Sequence, residues 1–280
     1  MRLDRTLTLS VARPLVNTGL GSIKGVLPIL MYHSISDDPE TGVAPYYKTC
    51  TSPEVFERQL RWLSDSGIRS VGLKDVAQIL TRRDAKCEKA VVITFDDGFR
   101  NIHTHALPVL EQYGFTATVY LPTAFIGDRR RSFKGQECLT WSEVQELHTR
   151  GTEFGSHSVN HPMLYQLNWP DIERETSESK AEIENRLQTA VTAFSYPYAF
   201  PQENREFTRC LADKLSEQGY QSCATTVIGS ARMNDDLFKL KRLPVNNCDD
   251  DALFAAKMAG AYDWLAVPQL LVRQAKAWIK

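Results

Sequence analysis

The sequence predicts an α/β fold with a parallel sheet covered by helices, and three observations predict it. Apolar runs of strand length alternate with longer segments of helical periodicity along most of the chain. No internal repeat or low-complexity linker interrupts them. Of the 280 residues, 42% are hydrophobic, enough for one full core. The right-handed crossover rule then leaves a closed barrel or an open doubly wound sheet. No G-x-G-x-x-G follows a strand, so the dinucleotide-binding version loses support. Short strands with reactive residues at their C-terminal ends favour the barrel, whose active sites lie on that rim.

The elements follow in order. VLPILMYH (26–33) is an apolar run ending in polar residues and reads as a strand. In TSPEVFERQLRWLSDSG (51–67), Ser52 stands at the N-cap, Pro53 at the first helical position, and Gly67 closes the helix. Phe56, Leu60 and Leu63 give that helix a face to bury. AVVITF (90–95) reads as a strand, HTHALPVLEQYG (103–114) as a helix and TATVYL (116–121) as a strand. In TWSEVQELHTRG (140–151), Thr140 and Glu143 form a capping-box pattern. TEFGSH (152–157) is a short strand and PDIERETSESKAEIENRL (170–187) a polar helix. AVTAFSYPY (190–198) is a strand and NREFTRCLADKLSEQG (204–219) a helix. YQSCATTV (220–227) and FKLKRLPV (238–245) are strands, and a helical tail closes the chain. The expected organisation is an N-terminal extension over 1–25, a domain over 26–250 and a tail over 251–280.

Charge narrows the function classes. Lys and Arg number 33 against 34 Asp and Glu, a net charge of −1. That balance argues against a nucleic-acid binder, which would carry a basic stripe. The six cysteines are scattered with no C-x-x-C pair, and read as free thiols, not as a disulfide framework or a cysteine zinc site. In MRLDRTLTLSVARPLVNTGLG, Asp4 and Arg5 come early and Arg13 and Pro14 break the apolar run, so the N-terminus does not read as a signal peptide. No run approaches the ~18–20 apolar residues of a membrane span. The expectation is a cytoplasmic protein without a transmembrane span. Its N-terminus is expected to be packed or frayed, with a short helix at a membrane surface as the alternative. Oligomeric state is not legible.

Four strand exits carry chemistry. In VVITFDDGFRN, Asp96 and Asp97 sit side by side where a buried strand ends. Two neighbouring carboxylates there would repel and lose hydration, at a cost of several kcal/mol, so something must compensate. Gly98 permits a sharp turn that lets both converge on one point. A divalent metal on one, with the other free as a base, is one answer; a helix N-cap at Asp97 is the other. In FGSHSVNHPM, His157 and His161 are four apart, a common spacing for two imidazoles on one metal, and the H-E-x-x-H pattern is not matched. Two histidines and a carboxylate leave a position open for water, as in hydrolytic zinc sites. In FSYPYAF, Tyr198 follows a rigid Pro197 turn whose exposed amide could donate to an oxyanion, with the tyrosine ring toward a sugar. His33, in LMYHSI, is a candidate general acid. Trp141 is a candidate platform for a sugar face, with packing as the commoner role of such a ring. His103, His105 and His148 read as surface or packing residues.

TFDDG, SHSVNHP and SYPYAF, in this order, resemble the polysaccharide deacetylase family, also called the NodB-homology or carbohydrate esterase family 4 domain. LPILMYHSI and ALPVLEQYGFTATVYLPTAFIG resemble the same family, and the similarity spans about 26–245. The resemblance implies a distorted (β/α) barrel and a divalent metal, usually zinc, with cobalt or nickel as substitutes. It implies hydrolytic removal of acetyl groups from sugars. By the family's motifs Asp96 is the catalytic base, Asp97, His157 and His161 are the metal ligands, and the Tyr198 amide is the oxyanion donor. Two departures stand out. The family's third motif often reads R-x-P-Y, with the arginine orienting the base, and here Ser195 takes that place. Arg242 in LKRLPV is the candidate replacement, a plain surface arginine being the other reading. The late histidine that supplies the acid is missing, since none follows His161. The chain instead resembles the branch with an early M-Y-H segment, such as poly-β-1,6-N-acetylglucosamine deacetylases, which makes His33 the acid.

The expected activity is metal-dependent release of acetate from an N-acetylated glycan or a lipid-linked saccharide in surface-polysaccharide metabolism. An O-acetyl esterase or small-amide hydrolase on the same site is one rival. A catalytically silent carbohydrate-binding domain is another, favoured by the missing arginine and late histidine.

Overall fold

The computed structural model describes residues 2–18, 25–81 and 89–278; Cys87 and its expected free thiol lie outside them. Seven parallel strands close into a barrel: β1 (Ile29–Tyr32), β2 (Ala90–Phe95), β3 (Thr118–Leu121), β4 (Glu153–Ser156), β5 (Ala193–Ser195), β6 (Ser222–Ile228) and β7 (Leu240–Pro244). Their order around the barrel is their order in the chain, and β7 pairs back onto β1 through Leu243↔Leu30 and Pro244↔Met31. That closure decides the sheet alternative in favour of the barrel. The ring is distorted where β4 and β5 share only the Ser156↔Phe194 register pair, and where the register between β6 and β7 shifts between Ala224 and Ile228. A short piece, Arg69–Ser70, pairs with the start of β2.

Helices cover the barrel: α1 (Pro53–Asp65), α2 (Leu73–Thr81), α3 (Leu107–Gln112), α4 (Trp141–Thr149), α5 (Trp169–Leu187), α6 (Arg205–Glu217), α7 (Asp251–Met258) and α8 (Ala266–Trp278). Side-chain caps set the starts of α1, α4, α5, α6 and α7. Ser52 accepts from Val55 N–H at 3.3 Å and Asn204 from Phe207 N–H at 3.0 Å. At α4 the Thr140–Glu143 box forms in both directions. Each such cap stabilises its helix by about 1 kcal/mol. On α1, Phe56, Leu60 and Leu63 are buried as their spacing predicts.

Strand alternation sorts the core into two shells. Val91, Ile93 and Phe95 of β2 join Leu30, Val119, Phe194 and Leu243 in the cluster that packs under the helices. Ala90 and Val92 instead join Ile29, Tyr120, Ala193, Ala224 and Leu240, which fill the barrel. Gly155 of β4 belongs to this inner shell, where an added Cβ would come 2.6 Å from the Tyr120 ring. Following the same alternation toward the strand ends puts Thr94, Asp96, His157, Ser195 and Arg242 on the inner face, at the C-terminal mouth.

The N-terminal segment is helical in three joined turns, Leu3–Leu7, Thr8–Ala12 and Arg13–Asn17. It is packed on the C-terminal region. Arg2 donates to Cys248 O and Asp249, Arg5 pairs with Asp250, and the Trp264 indole donates to Thr8 Oγ1. Among the described residues no helix is long and apolar enough to cross a membrane. Cys50, Cys138, Cys210, Cys223 and Cys248 are free.

Candidate active site

The mouth of the barrel collects four strand exits. Asp96 reaches it by strand alternation alone. Its neighbour should then face the helices, but Asp97 adopts φ 69°, and this left-handed turn brings the second carboxylate into the same pocket. Gly98 continues the turn at φ 60°. His161 and Tyr198, at φ 52° and φ 57°, are turned by the same device. Both carboxylates are buried, each 2% exposed.

Asp96 is held by Arg242, which crosses the barrel from β7. Arg242 donates from Nη1 to Asp96 Oδ1 at 2.7 Å and from Nη2 to Oδ2 at 2.8 Å. Its remaining donors reach Thr225 O (2.9 Å), Thr94 Oγ1 (3.2 Å) and Ser195 Oγ (3.1 Å). A guanidinium has five N–H groups in a rigid fork, and all five are used. Ser195 therefore sits at the centre of the ion pair, and its hydroxyl also donates to Asp96 Oδ1 at 3.4 Å. Burial alone would raise the Asp96 carboxyl, but the Arg242 guanidinium, with His157 and His33, outweighs it and holds the group well below the usual carboxylate range.

Asp97, His157 and His161 form the second half of the pocket. Their ligand atoms lie within 4.8 Å of one another. His157 Nδ1 is 2.8 Å from Ser195 O. A carbonyl only accepts, so Nδ1 carries the proton and the Nε2 lone pair faces the pocket. His157 Nε2 is 3.7 Å and His161 Nε2 is 3.3 Å from Asp97 Oδ1. That oxygen is buried without a hydrogen-bond partner. Burial pushes both imidazoles below their ordinary range, His161 to about 3, which keeps them neutral and able to bind a cation. An orphaned buried carboxylate oxygen facing two neutral nitrogens is a donor set that fits a divalent ion. The loop between the histidines is fixed by Glu175 of α5, which accepts from Val159 N–H (2.9 Å), Asn160 N–H (2.8 Å) and the Asn160 amide (2.6 Å).

The polysaccharide deacetylase family model matches residues 83–221. YxkH of Bacillus subtilis (strain 168), described as a polysaccharide deacetylase, is 31% identical over 230 residues, 82% of this chain and 75% of that protein. The chain belongs to the polysaccharide deacetylase family. The Streptococcus pyogenes deacetylase PplD, solved in complex with acetate, superposes with a TM-score of 0.71 at 27% identity, over 83% of this chain and 98% of that one. The poly-β-1,6-N-acetyl-D-glucosamine N-deacetylase of Escherichia coli (strain K12) is 27% identical over 150 residues, 50% of this chain and 21% of that protein.

The remaining candidates of this family member divide. His33 follows β1 and turns Nε2 toward Asp96 Oδ2 at 3.9 Å, across a gap too long for a hydrogen bond. Burial lowers its pKa, while Asp96 and Asp97 act in the opposite direction. Tyr198 is 43% exposed, its ring packs against His161 at 4.6 Å between centroids, and its carbonyl accepts from Thr226 Oγ1 at 3.0 Å. Trp141 does not join them. It starts α4, is 3% exposed, and lies against the Arg186 guanidinium at 5.2 Å. A ring so covered has no open face for a sugar, which corrects that expectation. His103 pairs with Glu146 at 3.0 Å and His105 meets Ile35 O at 3.1 Å, outside the pocket. The sequence reading passed over Lys134, at the tip of a hairpin formed by Ser132–Phe133 and Gln136–Glu137, whose ammonium lies 2.9 Å from Asp97 Oδ2.

Proposed function

We propose that this chain is a metal-dependent hydrolase that removes N-acetyl groups from an N-acetylated glycan, releasing acetate and a free amino sugar. The observation that carries the reading is the pairing of a carboxylate locked by Arg242 with the Asp97–His157–His161 cluster beside it. Arg242 also answers the departure at Ser195, since it supplies from β7 the guanidinium the third motif lacks, and this weakens the case for a silent binding domain.

Asp97, His157 and His161 would hold the metal, zinc by the chemistry of the donors, with cobalt or nickel as substitutes. When bound, it supplies a Lewis acid that polarises the amide carbonyl and acidifies water. Asp96, kept ionised by Arg242, accepts a proton from the attacking water. The water oxygen forms a bond to the acetyl carbon, and the Tyr198 N–H donates to the carbonyl oxygen as it gains charge. His33, in its imidazolium form, gives its proton to the amine as the C–N bond breaks. Burial works against that protonated form, and the Asp96 and Asp97 carboxylates facing it work for it. With His33 as the acid, the chain reads as a member of the M-Y-H branch, and the proposed substrate is a surface polysaccharide or its lipid-linked precursor.

Acetate release from β-1,4- and β-1,6-linked N-acetylglucosamine oligomers tests this, with zinc or cobalt added, with chelator, and with Asp96→Asn. The expected outcome is metal-dependent release that is lost in Asp96→Asn while metal content is kept. Full activity in that variant would overturn the scheme. Release from O-acetylated sugars alone would move the assignment to an esterase.

A further inference from the structure

Asp97 reaches the pocket with two oxygens in different circumstances. Oδ1 faces His157 and His161 and has no hydrogen bond. Oδ2 accepts from Lys134 Nζ at 2.9 Å. The carboxylate is 2% exposed, so water does not solvate it, and an ion pair with a buried partner is unlike an exposed one, where water competes.

The position of Lys134 is built into the fold. Ser132 pairs with Glu137 and Phe133 with Gln136, so Lys134 and Gly135 alone make the turn. Both have positive φ, 50° and 79°, the left-handed pair that a two-residue hairpin requires. Glycine meets that demand freely, but a lysine there is uncommon. The hairpin is tied to the loop that carries the two acids. Leu139 N–H donates to Gly98 O at 2.9 Å, Arg100 N–H donates to Glu137 O at 2.8 Å, and Phe99 bridges to Cys138. The ammonium lies 4.7 Å from the Phe133 ring centroid and 5.6 Å from that of Tyr198, distances at which an aromatic face attracts a cation. The Phe133 ring in turn packs on His161 at 5.1 Å. The backbone contacts thus tie the hairpin to the loop that carries Asp97, the Phe133 ring packs it on His161, and the ion pair reaches the Asp97 carboxylate itself.

We propose that Lys134 is a positioning residue for the metal ligand Asp97: by holding Oδ2 it leaves Oδ1 as the single carboxylate oxygen offered to the cation. The inference rests on the metal-site reading above. Freed of the lysine, the carboxylate can rotate and present both oxygens. Groups that orient a metal ligand in this way typically contribute about 10–100-fold in metal affinity.

The test uses the full chain, stripped of metal and titrated with cobalt(II), whose visible absorption reports coordination number. Affinity is read by competition with a chromophoric chelator. Lys134→Met keeps the aliphatic stem between the two rings and removes the charge. It should bind cobalt about 10–100-fold more weakly and show weaker, shifted visible bands, as a second carboxylate oxygen joins. Lys134→Arg, which keeps a cationic donor on the turn, should retain the wild-type spectrum. An unchanged spectrum and affinity in Lys134→Met would overturn the proposal. A gain in affinity would also overturn it, since the ammonium would then be repelling the cation. Failure of the wild type to bind cobalt would remove the metal reading itself and this inference with it, a result distinct from the other two.

Discussion

Replacing Arg242 by methionine removes the guanidinium and leaves a side chain of similar length inside the barrel. In the native structure Asp96 takes two charge-assisted hydrogen bonds from Arg242, at 2.7 and 2.8 Å, and a long one of 3.4 Å from Ser195. Without the arginine, a carboxylate that is 2% exposed keeps only the last. Removing one partner of a buried ion pair costs about 3–5 kcal/mol, chiefly because the remaining charge is left unsatisfied. If that is the reason, the cost must depend on Asp96 being charged. Arg242→Met in an Asp96→Asn background should then cost at least about 2 kcal/mol less than in the wild type. Urea unfolding of the metal-free protein at neutral pH measures all four corners of this cycle. The activity carries the same signature. Arg242 holds the Asp96 carboxyl low, so its loss lets burial raise that group, and the acidic limb of the rate profile should move to higher pH. A cost under about 1 kcal/mol, or costs that simply add, would show that Arg242 is not what allows Asp96 to be buried as an anion.

Two further outcomes follow from the same geometry. Burial holds His157 and His161 below the unfolded histidine value of about 6.5, His161 to about 3. Between those values the unfolded chain binds protons that the folded chain refuses, so the metal-free protein should lose stability as pH falls below about 6.5, by up to about 1.4 kcal/mol per pH unit for each fully refused proton. Above pH 7 the two states bind equally and the effect vanishes. Urea titrations at pH 7.5, 6.5 and 5.5 would show it, and a slope unchanged in His161→Gln would refute the attribution. Gly155→Ala drives a methyl to 2.6 Å from the Tyr120 ring and 2.8 Å from Ala193 O, and should cost about 1–3 kcal/mol of stability in a thermal melt; a neutral result would mean the barrel interior is not packed as described.

What the sequence disclosed, and what it hid, divides along a physical line. Strands and helices with a strong period were legible because burial imposes the period. So was the α4 start, where Thr140 and Glu143 make the box that their spacing announces. The site was legible where one motif brings its residues together, as in Asp96–Asp97 and His157–His161. The open question at Arg242 could have been narrowed by alternation, since Leu240 and Arg242 share one face of β7 and Leu243 the other. Each face of that strand carries one leucine and one cation, Leu240 with Arg242 and Leu243 with Lys241, so no polar side marked which way the arginine points. Trp141 misled for the related reason that an aromatic at a helix start is the same in sequence whether it faces a groove or the core. Lys134 was hidden because its hairpin is too short to show a strand period, and the Lys–Gly turn is the one local sign of it. The 73–81 helix, α2, likewise went unassigned.

The placing of two adjacent buried acids at one strand end has a structural answer that neither acid gives alone. A strand sends alternate side chains to opposite faces, so Asp96 and Asp97 should not meet; the left-handed backbone at Asp97 makes them meet. Once together, each needs its own counter-charge, and the fold provides two from opposite sides. Arg242 comes through the barrel and binds both oxygens of Asp96, which then has no oxygen free of the guanidinium. Lys134 comes over the rim and takes one oxygen of Asp97, leaving the other unpaired beside two neutral imidazoles. On the proposed scheme the same residue type takes two different roles, set by the number of oxygens its cation occupies. The bidentate partner keeps Asp96 ionised and fixed in place, as a base requires. The single-point partner leaves Asp97 with one oxygen to offer, as a ligand requires.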